Sequence, residues 1–171
     1  HFRNIIMITS DLNSSTIIPE SNKFALISVS DKFNLDIIVP FLIYNNYRII
    51  STGGTFTKIN SILESQKLDT TKVIEVSTIT KFPELLGGRV KTLHPKIAAG
   101  ILADSKNNYH IEDINNYQIP KISVVIVNLY PFQKTIQQTT NLNTIVENID
   151  IGGPTLIREA FKNYKDVSLL V

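Results

Sequence analysis

The chain has 171 residues, 43% of them hydrophobic, which is enough apolar material for one core and makes one domain the expectation. Seventeen basic residues against fifteen acidic ones give a net charge of +2, and the lysines are scattered, so nothing resembles the basic stripe that nucleic acid or an anionic membrane demands. The absence of cysteine excludes a disulfide scaffold and thiolate metal sites, and three widely separated histidines (His1, His94, His110) argue against a histidine metal centre.

No apolar run approaches the roughly 20 residues that cross a bilayer. A chain neither spanning nor anchored is expected, and a reducing cytoplasm fits the lack of cysteine. The opening HFRNIIMITS has too short an apolar patch for a secretory signal, and the polar stretch behind it reads as an extension or an artificial remnant. Residues 1–22 are therefore set apart from a domain over 23–171.

From Lys23 onward, strand-like and helix-like patterns alternate. FALISVS (24–30) is rich in strand formers and runs into Ser and Asp, which suit a turn or helix start. NLDIIVPFLIYNN has helical spacing, with Pro40 expected to remove a hydrogen bond and kink it. YRIIST (47–52) is a second strand, followed by Gly53-Gly54 and the helical TFTKINSILESQ. KVIEV (72–76) is a third. ISVVIVNL (122–129) is apolar enough to be buried on both faces as a central parallel strand. GGPTLIREAFKN reads as a helix with Pro154 tolerated in its first turn, and VSLLV (167–171) as a last strand. This alternation predicts an α/β three-layer sandwich with a mostly parallel sheet of about five strands. With no helix after the last strand, one sheet edge is expected to lie uncovered and the natural protein to continue.

In such sheets ligands bind beyond the carboxyl ends of the strands, and the polar clusters follow strands here. SVSDK (28–32) and STGGT (51–55) offer hydroxyls, glycine amides and a lysine, the groups a phosphate needs at a helix N-terminus. Ser28, Ser30, Lys32, Ser51, Gly53, Gly54 and Thr55 could form one cradle. Either cluster alone is also what an ordinary helix cap looks like; two on neighbouring strands favour phosphate.

GGRVKTLHP (87–95) sets Arg89 and Lys91 two apart behind two glycines, pointing the same way if extended, so that two cations either meet one ligand or face water. In NLYPF (128–132), Asn128 and Tyr130 stand at the mouth of the most buried strand, Tyr130 being a proton donor or an amphipathic side chain at a core edge. In DIGGPTLIREAFKN (150–163), Asp150 precedes a glycine turn and Lys162 lies far along the next helix, an acid and a base suited to proton transfer or, alternatively, a cap and a surface lysine.

Taken in order, SVSDK, STGGT, FPELLGGRVKTLHP, AGIL, NLYPF, DIGG and KN resemble the IMP cyclohydrolase domain of the bifunctional purine biosynthesis family, AICAR transformylase/IMP cyclohydrolase, from about Phe24 to Val171. The resemblance implies a methylglyoxal-synthase-like α/β fold and the last step of purine synthesis, the dehydrative closure of 5-formamidoimidazole-4-carboxamide ribotide (FAICAR) to IMP. It assigns Ser28, Ser30, Lys32, Ser51, Gly54 and Thr55 to the 5′-phosphate. Arg89, Lys91, Thr92, Asn128, Asp150, Ile151 and Gly152 surround the base, with Gly53 and Gly153 in the same substrate-binding turns. Lys91, Tyr130, Asp150 and Lys162 match the catalytic positions, and His94 supports the loop before Pro95.

By the same resemblance, no metal or organic cofactor is expected; 10-formyltetrahydrofolate belongs to a second, formyl-transferring domain, to which nothing in these residues is similar. The expected partner is the nucleotide, the expected assembly a homodimer. The chain departs from the family at Ala98 and Tyr164, where histidines are usual, and at Phe161, in place of a small residue; altered packing or rate is expected from these. Methylglyoxal synthase, with histidines around its phosphate loop, fits less well. A regulatory module that binds a nucleotide without turnover is the competing reading, and the joint presence of Lys91, Tyr130, Asp150 and Lys162 argues against it.

Overall fold

The structure, a computed structural model, describes residues 23–83, 85–86 and 90–171. The extension expected over 1–22, the turn Gly87-Gly88 and Arg89 lie outside the described residues.

The strands are β1 (Lys23–Ser28), β2 (Tyr47–Ser51), β3 (Val73–Glu75), β4 (Ile122–Val127) and β5 (Ser168–Leu170). They form one all-parallel sheet in the order β3-β2-β1-β4-β5, so β1 is central, β4 is internal beside it and β5 is an edge. The chain builds outward from β1 through β2 to β3, then returns to lay β4 on the other side of β1, which makes the carboxyl ends of β1 and β4 the point where the winding reverses.

The helices are α1 (Leu35–Tyr44), α2 (Gly53–Ser65), α3 (Val76–Thr80), α4 (Pro95–Leu102), α5 (Asn108–Asn116), α6 (Phe132–Gln138), α7 (Leu142–Glu147) and α8 (Gly152–Lys162), with a 3-10 turn at Thr70–Lys72. Side chains alternate across β1 as the period of two requires. Phe24 and Leu26 join a core with Ile97 and Ile101 of α4 and Leu156 and Ala160 of α8. Ala25 and Ile27 join a second with Val39 and Leu42 of α1 and Ile59 and Leu63 of α2. Helices thus cover both faces, and the alternation read from the sequence becomes a three-layer α/β fold.

One irregularity is visible in the pairing of β4 with β1. Phe24 is opposite Ile122 but Ala25 is opposite Val124, so Ser123 is the extra residue of a bulge. It explains why Ile122 and Val125, three apart, both enter the α4/α8 core.

Pro40 lies inside α1 and is buried. Having no N–H, it cannot donate to the Asp36 carbonyl one turn earlier. The side-chain amide of Gln66, just past the end of α2, donates to that carbonyl instead (3.2 Å). The helix runs on through the proline.

Candidate functional site

A cavity of about 640 Å³ opens beyond the carboxyl ends of β1, β2 and β4, within the usual size of a small-ligand site. Its walls come from four places: Ser28–Ser30 and Lys32 after β1, Thr52, Gly54 and Thr55 after β2, Asn128 and Tyr130 after β4, and Ile149–Gly153 leading into α8. Lys91 and Thr92 close one side, and Val146 and Glu147 of α7 another.

The turn after β1 is held by one side chain. The Asn128 carboxamide oxygen accepts from the Ser30 amide (2.6 Å), the Ser30 hydroxyl (3.0 Å) and the Asp31 amide (3.1 Å), while its nitrogen donates to the Asp31 carbonyl (2.9 Å). The sequence reading has Asn128 beside the base; in the structure it lines the cavity, and both ends of its carboxamide join the turns that follow β1 and β4. Asp31 adds a bond from the Phe33 amide (3.0 Å).

Lys32 folds back over this turn, donating to the carbonyls of Val29 and of Ser30 (3.1 Å). Burial pushes its ammonium below the ordinary lysine range, a shift that neighbouring Asp31 partly offsets.

The expected hydroxyl cradle is only partly present. Ser51 is fully buried, with its hydroxyl donating to the Ile27 carbonyl (2.7 Å), so it braces β1 against β2 and does not line the cavity. The Thr55 hydroxyl donates to the Val29 carbonyl (2.9 Å), although the residue lines the wall. What faces the cavity here is the start of α2, a thirteen-residue helix whose preceding Thr52 makes no side-chain cap. That end carries the positive pole of the helix dipole.

Gly53 stands behind the wall, for a reason its backbone shows. Its φ is +49°, and a Cβ built there would lie 2.9 Å from Lys91 Nζ. The glycine provides both the left-handed turn and the space for the ammonium. Gly152, without a left-handed φ, leaves room for Thr92, whose Oγ1 would be 3.2 Å from an added Cβ.

The start of α8 differs from that of α2, because Asp150 occupies it. Its Oδ1 accepts from the Gly153 amide (2.8 Å) and its Oδ2 from the Tyr130 amide (3.4 Å). A Cβ on Gly153 would fall 2.6 Å from Oδ2, so only glycine leaves the carboxylate in place. The Tyr130 side chain is half exposed at the cavity mouth.

Lys162 is not brought to this site. It ends α8, about 15 Å along the axis from Gly152 at 1.5 Å per residue, and is exposed outside the cavity wall. Phe161 and Tyr164 flank it, both exposed, whereas Ala98 is half-buried one turn beyond His94 on α4. Residues that sequence reasoning did not single out include Thr52, Val146, Glu147 and Ile149. The three from the α7 region stand just before the DIGG turn, and that proximity was the available signal.

A second, smaller cavity of about 230 Å³ adjoins the first, with Thr52 and Lys91 in both walls, and is completed by Glu75, Phe82 and His94 among others.

A model of the MGS-like domain matches residues 37–155, more than half of the chain and most of the cavity wall. The chain belongs to the MGS-like domain family. As an MGS-like domain it is 50% identical over 151 residues to the bifunctional purine biosynthesis protein PurH of Prochlorococcus marinus subsp. pastoris, a match covering 86% of this chain and 27% of that protein. PurH of Thermoanaerobacter sp. (strain X514) is 47% identical over 150 residues, covering 87% and 28%. This MGS-like domain therefore spans a little over a quarter of the length of these relatives and corresponds to their MGS-like part. It is also similar to the crystal structure of ForH, with a TM-score of 0.69 and 29% identity over 86% of this chain and 72% of that one.

Proposed function

We propose that this MGS-like domain acts in purine biosynthesis as an IMP cyclohydrolase, closing FAICAR to IMP with loss of water. The observation that carries the reading is the polarity of the cavity. At one end Lys32 and the uncapped start of α2 suit a dianion; at the other, Asp150 already neutralises the start of α8 and would repel one. A ribotide bound with its phosphate on α2 extends its base toward Lys91, Thr92, Tyr130 and Asp150. The 50% identity to a bifunctional purine biosynthesis protein supports the same substrate class.

The chemistry asked of these groups is modest. The carboxamide nitrogen attacks the formyl carbon, a C–N bond forms, and the carbonyl electron pair moves onto oxygen; that oxygen later departs as water with one hydrogen from each of the two nitrogens. Holding both groups in reacting geometry supplies much of the acceleration. Lys91 polarises the carboxamide or stabilises the oxyanion, and Asp150 orients the attacking nitrogen and helps to deprotonate it. Tyr130 serves the departing oxygen; Lys162 lies outside the cavity, and the lysines within its wall are Lys32 and Lys91. No cofactor enters this scheme. The natural full-length protein would also transfer the formyl group from 10-formyltetrahydrofolate to AICAR through residues beyond this domain. The setting is the cytoplasm, and the assembly a homodimer.

The test is to incubate the purified chain with FAICAR and follow IMP by absorbance. Turnover that falls at least about a hundredfold in Lys91→Ala is expected for a lost oxyanion contact. The position of Lys162 favours a second reading, a regulatory domain that binds the nucleotide without turnover. Tight IMP binding with no IMP formation would select it.

A further inference from the structure

Lys91 and Thr92 reach the cavity on a short stretch just before α4, and the residue that anchors this stretch is His94. Its amide donates to the Thr92 carbonyl (2.9 Å), and its carbonyl accepts from the amides of Ile97 (2.9 Å) and Ala98 (3.1 Å). Its imidazole Nδ1 accepts from the Lys96 amide (3.1 Å), making the side chain itself the N-cap of α4. The ring also packs at 6.2 Å and 41° on Phe82, on the far side of the 84–89 segment.

An Nδ1 that accepts from a backbone amide must carry no hydrogen. The ring is then neutral with its proton on Nε2, since each nitrogen of a neutral imidazole either donates or accepts. Protonation would set two N–H groups face to face and break the cap. Glu75 and Lys91 line the second cavity with His94, and Lys96 follows it two positions on in α4.

We propose that His94 is a positioning residue: its neutral, Nε2-protonated form fixes α4 and with it Lys91 and Thr92 at the cavity wall, and protonation of the ring releases them. Activity therefore has an acid limb that belongs to a helix cap and to no group touching substrate. The kinetic form of this inference rests on the cyclohydrolase reading; the structural form does not.

Two measurements test it. In a 15N NMR titration of the imidazole, the Nε2-protonated tautomer is expected above neutrality, with the Lys96 amide shift moving in step with His94. An Nδ1-protonated tautomer, or a Lys96 amide indifferent to the titration, overturns the proposal. In the pH profile of IMP formation, His94→Asn restores a side-chain acceptor that does not titrate, so turnover is retained while the acid limb disappears. His94→Ala should lose about tenfold or more in kcat/KM from misplacement of Lys91. The same acid limb in His94→Asn as in the unmodified chain would sink the inference. Absence of turnover in the unmodified chain would sink the cyclohydrolase reading alone, and the NMR titration would still decide the role of His94.

Discussion

Two side chains shape the cavity at the turn after β1, and they act in different ways. Asn128 shapes it from behind, because its carboxamide makes four hydrogen bonds to the Ser30–Asp31 turn. Replacing Asn128 with Ala leaves two amides and a carbonyl to find water, while the Ser30 hydroxyl keeps the Leu129 carbonyl, and should cost about 1–3 kcal/mol of stability. Chemical denaturation checks the loss, and affinity for IMP should fall with it. Lys32 stands in the cavity wall at the same turn and, in the proposed function, meets the phosphate; burial pushes its ammonium below the usual lysine range. The sign follows from that direction: between the lowered value and the ordinary one, the unfolded chain holds more protons than the folded chain, so the contribution of Lys32 to stability rises with pH. Its contribution to the proposed phosphate binding should move the other way, because attracting a dianion needs the charged form. Calorimetric titration of IMP across alkaline pH should show affinity declining below the range where free lysine titrates, and Lys32→Met should remove that decline. At this scale the sequence named Lys32, Gly54, Lys91, Thr92 and Asp150 as wall residues. It did not separate them from Ser51, since a serine at a strand end reads alike whether its hydroxyl faces a ligand or the neighbouring strand.

Most elements legible in the sequence bury a face, although burying one is not sufficient, since α4 places Ile97 and Ile101 in the core and is not read. β1, β2, β4, α1, α2 and α8 each contribute several residues to a core, so their apolar periodicity is strong. The sequence reading assigns no element to α3, α4, α5, α6 or α7. α5, α6 and α7 bury no residue, and all three are under ten residues long, too short for a run of apolar positions to stand out. Pro40 was read correctly as a lost hydrogen bond, but its remedy comes from Gln66, twenty-six positions later, and only packing of α1 on α2 brings them together. This makes a prediction that belongs to the helix pair. Gln66→Ala should destabilise the chain by about 0.5–1 kcal/mol. In a Pro40→Ala background, where residue 40 can donate to Asp36 itself, the same change should cost close to nothing. A double-mutant cycle by urea denaturation measures the difference; equal costs in both backgrounds would show that Gln66 does not serve the proline.

For the whole molecule, the surface left over by the fold bears on assembly. Ile37, Phe41 and Tyr44 are spaced along the outer side of α1 and are 65%, 63% and 71% exposed, a stripe of large apolar side chains at helical spacing. With a net charge of only +2, little repulsion opposes self-association through it. The proposed homodimer should appear in sedimentation velocity as a concentration-dependent species. Ile37→Asp with Phe41→Asp should weaken it by more than about 1 kcal/mol per residue if the stripe lies at its centre; a monomer at every concentration would remove the dimer from the proposal. The winding of the chain was within reach of the sequence, because a parallel sheet needs a crossover between strands and the strand and helix patterns alternate accordingly. So were the polar residues placed after each strand, since turns that meet a ligand keep hydroxyls, glycines and charges where a core would exclude them. Strand order was not, for nothing local says that β4 returns to the far side of β1. That return gathers four distant turns into one cavity, sends Lys162 about a helix length away from it, and gives the two helix starts opposite uses, one left open and one closed by Asp150. The sequence determined which residues were available for chemistry, because local patterning reports burial and backbone freedom. Only the tertiary structure decided which of them meet, because contacts between turns 20 to 100 residues apart depend on the order in which strands pair.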